Sequence, residues 1–128
     1  MQYSIDKILD MSFDDAVNRV VEELKKEGFG VLTDIDVQTI LKKKLDVDFR
    51  KYRILGACNP PFAYKALQAE RRIGTMLPCN VIVQETESGQ IEVSAIDPIA
   101  SMRAIENSNL REIADQIQAK LKKVVERL

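Results

Sequence analysis

Two cysteines are the only soft nucleophiles in this chain, and their settings are nearly mirrored. Cys58 lies in Gly56-Ala57-Cys58-Asn59-Pro60, and Cys79 lies in Leu77-Pro78-Cys79-Asn80. Each is followed by Asn, flanked by Pro, and placed where a run of β-formers meets a turn. The chain has no histidine, so Ser-His-Asp and Cys-His schemes and His-based zinc sites are excluded. A thiol pair is the chemistry that remains. It could bind a soft metal ion such as zinc or copper, or close a reversible disulfide. Alternatively, Cys58 alone could act as a nucleophile, because it precedes a helix start where N–H groups and the dipole favour an anion. The plainer alternative is that both thiols are small buried hydrophobes at tight junctions. Two thiols also undersupply a structural zinc site, which needs four ligands.

Other side chains could complete such a site. Asn59 and Asn80 can present amides beside the sulfurs, although Asn in such places commonly satisfies turn backbone. Asp34 and Asp36 are two apart at a strand end and would share a face. Asp34 is the candidate ligand of the two, while Asp36 has the simpler role of capping a helix. The candidate binding set is therefore Cys58, Asn59, Cys79, Asn80 and Asp34, with Cys58 and Cys79 as the candidate metal ligands.

The elements that must position these residues are legible from pattern. Tyr3 to Leu9 reads as a first strand. Ser12 with Asp15 resembles a capping box, and Phe13, Ala16, Val17, Val20 and Leu24 then recur at helical spacing until Gly28. Phe29 to Ile35 is a second strand, and Asp36 caps a short helix through Leu45 with Val37, Ile40 and Leu41 inward. Tyr52 to Ala57 forms a third strand. Asn59-Pro60 supplies a cap and first turn for a helix to about residue 69. Val81 to Thr86 and Ile91 to Ile96 flank a glycine-containing hairpin loop. Asp97-Pro98 starts a short helix through about Ile105. Asn109 and Glu112 open a last helix with an apolar stripe through Leu110, Ile113, Ile117, Leu121, Val124 and Leu128. In this order Cys58 ends one strand and Cys79 begins the next, so antiparallel neighbours would bring both to one sheet edge.

Composition bounds the rest. The 128 residues fit one domain, spanning 1–128, with an ordinary 45% hydrophobic and 30% charged content. A net charge of −1 disfavours a nucleic-acid or membrane-surface binder. Lys42, Lys43, Lys44, Arg50, Lys51, Arg53, Arg71 and Arg72 then read as a solvated face. No apolar run approaches the roughly 18 residues of a membrane span. No secretory signal is visible, so a reduced, cytoplasmic setting is the default expectation.

The runs Ile54-Leu55-Gly56-Ala57-Cys58-Asn59-Pro60 and Leu77-Pro78-Cys79-Asn80-Val81 resemble a prokaryotic family known as domain of unknown function three hundred and two. Gly28-Phe29-Gly30-Val31-Leu32-Thr33-Asp34-Ile35-Asp36-Val37 and Ala95-Ile96-Asp97-Pro98 extend the resemblance from about Asp10 to Leu128. One departure is Asp34, where the family usually has Glu. The resemblance implies an α+β fold of the TATA-binding-protein-like type, with an antiparallel (or else mixed) sheet of about five strands and helices on one face. It also implies a homodimer, and it implies no activity. The function expected is binding of a small ligand or soft metal ion near the cysteine pair, which leaves open whether the protein is an enzyme. The alternatives are a thiol–disulfide redox protein, in which Cys58 attacks and Cys79 resolves, and an interaction module without a ligand.

Overall fold

The computed structural model describes residues 2–128. Among these, five strands and five helices follow in the order β1 (Ser4–Leu9), α1 (Phe13–Lys26), β2 (Gly30–Asp36), α2 (Val37–Leu45), β3 (Tyr52–Cys58), α3 (Pro60–Ala69), β4 (Cys79–Glu85), β5 (Ile91–Ile96), α4 (Pro98–Ser101) and α5 (Ser108–Glu126). A single sheet forms in the order β1-β5-β4-β3-β2, and every pairing in it is antiparallel. The mixed alternative therefore falls away.

Local chemistry explains most boundaries. Ser12 Oγ accepts from Asp15 N–H at 3.1 Å, which starts α1. The helix ends in a Schellman arrangement: Gly28 N–H donates to Lys25 O and Phe29 N–H to Leu24 O. Gly28 takes φ +85, where a side chain would be strained. Phe29 and Leu24 are both buried in the same core, the apolar contact that accompanies this cap. Gly56 is required for a different reason. A Cβ there would lie 2.2 Å from Thr33 Oγ1 and 2.8 Å from a ring carbon of Pro78, so β2 and the start of β4 approach bare backbone.

β4 shows the two faces of the sheet. Cys79, Val81 and Val83 are buried under the helices, while Asn80 between them is exposed on the other side. Two clusters of buried side chains lie beneath the helices. The larger joins the sheet to α1 and the C-terminal half of α5, through Val20, Leu24, Val83, Val93 and Leu121. The smaller comprises Ala66 of α3, Ile73 of a short 3-10 helix at Ile73–Met76, Met102, Leu110 and Ala114. α5 runs through both: Leu110 and Ala114 belong to the smaller, Ile117, Leu121 and Val124 to the larger.

Three local expectations are corrected. α2 is capped by Asp36, whose Oδ1 accepts from Thr39 N–H, but it buries no residue, and Ile40 is 39% exposed. The helix packs mainly on β3. α4 is a single turn that stops at Ser101. α5 begins at Ser108 rather than Asn109, because Asn107 Oδ1 accepts from the N–H groups of both Asn109 and Leu110.

Candidate functional site

Where the two clusters meet, the chain leaves a cavity of about 270 Å³ that is partly open to solvent. The end of β3 supplies Ala57, Cys58 and Asn59, and the start of β4 supplies Leu77, Pro78 and Cys79. α3 contributes Phe62, Ala63, Ala66 and Leu67, and α5 contributes Ile113, Ala114 and Ile117. Four of the lining residues, drawn from three elements, are alanines. Among the described residues, Asn59 and the two cysteines are the lining residues with a hydrogen-bond donor in the side chain, and no charged side chain lines the cavity.

The structure divides the sequence candidates. Cys58, Asn59 and Cys79 border this cavity; Asn80 and Asp34 do not. Asn80 is exposed and paired with Gly56 on the far side of the sheet. Asp34 instead receives both Nε and Nη2 of Arg53, the former at 2.7 Å. The hydrogen bonds from Arg53 hold its carboxyl below the usual aspartate range, more than partial burial raises it. Asp36 is committed to the α2 cap, so the two aspartates do not form an acid–base pair.

The cysteine pair is also corrected. β3 and β4 are indeed antiparallel neighbours, but the residue opposite Cys79 is Ala57. Cys58 comes one position later, and strand alternation turns consecutive side chains to opposite sides of the pleat. Both cysteines are free, Cys79 buried and Cys58 half-buried. Burial, and secondarily the charge of Cys58, push the Cys79 thiol up to about 11. At neutral pH Cys79 is thus protonated, and its burial disfavours the thiolate that attacks a disulfide. Among the described residues, no group of three or more His, Cys, Asp or Glu side chains is placed to hold a metal ion.

Asn59 departs from expectation in an informative way. It occupies the N-cap of α3 but makes no side-chain capping bond. A capping oxygen accepts from the N–H of the second or third helical residue. Here the second is Pro61, which has none, and the third, Phe62, is left uncapped. Asn59 Nδ2 donates instead to Glu27 O at 3.1 Å, which ties the start of α3 to the end of α1. Gly28 is part of the same junction, since a Cβ there would sit 3.1 Å from Asn59 Nδ2. The sequence reading missed Phe62, Ala63, Ala66 and Ala114 as lining residues. The available signal was the Ala63-Ala66 spacing, which puts two small residues on one face of α3.

A single antiparallel sheet with α1 and α5 on one face, and a mostly apolar cavity at one end of the covered layer, defines a small α+β domain. The family model described as "Domain of unknown function DUF302" matches residues 5–128, and the chain belongs to that family. It is similar over 99% of its length to an uncharacterised conserved DUF302 protein from Bacillus stearothermophilus known from a crystal structure. That match has a TM-score of 0.92 and 28% identity, and it covers 98% of the other chain. No curated protein matches this chain. Among the described residues, no helix is long and apolar enough to cross a membrane.

Proposed function

We propose that this domain is a small-molecule-binding module whose ligand occupies the cavity beneath α3, beside Cys58, Asn59 and Cys79. The observation that carries this reading is the cavity itself. Its volume of about 270 Å³ lies where the two clusters of buried side chains meet, with alanines from three elements among its walls. Known ligand sites are largely apolar clefts of roughly 300–1,000 Å³ with a few placed polar groups, and this one falls just below that range. Of the two ligand classes expected from sequence, the compact organic molecule fits these walls. Thiol–disulfide exchange loses its support, because Cys79 has no cysteine opposite it and stays protonated.

The reading is tested by soaking crystals in xenon, which enters apolar cavities. A xenon peak bounded by Ala57, Ala66 and Ala114 is expected. A cavity that takes up no xenon while other sites do would contradict the reading.

A further inference from the structure

We infer that the molecule this cavity accepts is uncharged and carries a hydrogen-bond donor, which Asn59 Oδ1 receives. The inference rests on the small-molecule reading above and adds the chemical class of the ligand. Asn59 is only 7% exposed, and its amide is oriented by the bond from Nδ2 to Glu27 O. That bond leaves Oδ1 as the free end, and an amide oxygen has two lone pairs for acceptance. Among the described residues Oδ1 accepts no hydrogen bond, not even from Phe62 N–H, the one capping donor that the two prolines leave. Nor is it sealed away from solvent, since no buried side-chain N or O atom among the described residues is both enclosed and unpartnered. Asn59 is among the residues that line the cavity.

The remaining walls narrow the class. An ion would lose its water without meeting an opposite charge, which disfavours charged ligands strongly. A thiol is a weak hydrogen-bonding group, so Asn59 is the one strong side-chain acceptor. An engineered apolar cavity of about 150 Å³ holds benzene. A cavity of about 270 Å³ has room for two fused rings.

Indole and benzofuran test this directly, because they share a two-ring shape while only indole has an N–H to donate. The full chain, labelled with ¹⁵N, is titrated with each compound while the Asn59 side-chain amide and the Ala66 backbone resonances are followed. Both compounds should shift Ala66, and indole should bind about tenfold more tightly, the effect of one net hydrogen bond. In Asn59→Leu the preference should vanish, with benzofuran binding retained. Equal or weaker binding of indole in the native chain overturns the donor assignment and leaves the cavity reading intact. Failure of both compounds to shift Ala66 overturns both readings. Asn59→Leu also removes the tie to Glu27, so the two-compound comparison in the native chain is decisive should that variant fail to fold.

Discussion

Between α1, α5 and the central strands, the layer is filled by Val20, Leu24, Val83, Val93 and Leu121, all fully buried. At the α3 end of the same layer Ala57, Ala63, Ala66 and Ala114 are among the walls of a cavity. Both regions are apolar, both are bounded by the same sheet, and α5 crosses both. They differ in filling: the second has four alanines among its larger apolar walls and opens partly to solvent. A core built only for stability would use larger residues at these four positions, since close packing supplies dispersion contacts that a gap forfeits. The contrast therefore separates the part of the molecule that holds the fold from the part available to a ligand.

The comparison can be broken by substitutions of graded effect. Leu121→Ala, in the filled region, should cost about 2–5 kcal/mol in urea unfolding, from lost transfer energy plus the new cavity. A smaller loss would show that this region also has slack. The sharpest pairing applies one exchange in both regions. Ala16, on α1, is fully buried in the larger core, so Ala16→Leu should overpack it and cost about 1–3 kcal/mol. Ala66 is equally enclosed but borders the cavity, so Ala66→Leu should be neutral or stabilise by up to about 2 kcal/mol. Equal losses in the two variants would erase the distinction.

The smallest effect lies outside both regions, at Asp34 and Arg53 on the sheet margin. The side chains are 39% and 27% exposed, so the pair should contribute below about 1 kcal/mol. Its pH dependence has a definite sign. The folded carboxyl titrates below the ordinary value of 3.8, so the contribution is present above that pH and is lost as pH falls through the lower folded value. Asp34→Asn should flatten the acid limb of the stability profile only slightly. A large change would mean that Asp34 does more than pair with Arg53.

How much of this was legible follows from the range over which each signal acts. Ser12 with Asp15, the Gly28 stop, Asn59-Pro60 and Asp97-Pro98 are local devices, and each marked the start or end of an element that forms. The five strands were legible for the same reason, whereas their antiparallel course was expected from the family resemblance, with a mixed sheet left open. The relation of the two cysteines was not, because it depends on register. A one-residue offset, with Ala57 rather than Cys58 opposite Cys79, decides whether two thiols face each other. The exposure of α2 was hidden as well, since Val37, Ile40 and Leu41 have helical spacing. The cavity depends on four alanines from β3, α3 and α5 whose meeting is a tertiary fact. Asn59 was expected to cap α3, but its amide bonds Glu27 O instead, a partner too distant in sequence to be read locally.

Whether the space among these alanines is a binding site can be decided by a single titration. Indole is added to the native chain and to Ala66→Leu, with heats of binding measured for both and the fold of each checked by circular dichroism. The account predicts saturable binding to the native chain and loss of at least about tenfold in affinity, or 1.4 kcal/mol, in the folded variant. Unchanged binding to a folded Ala66→Leu protein would contradict it.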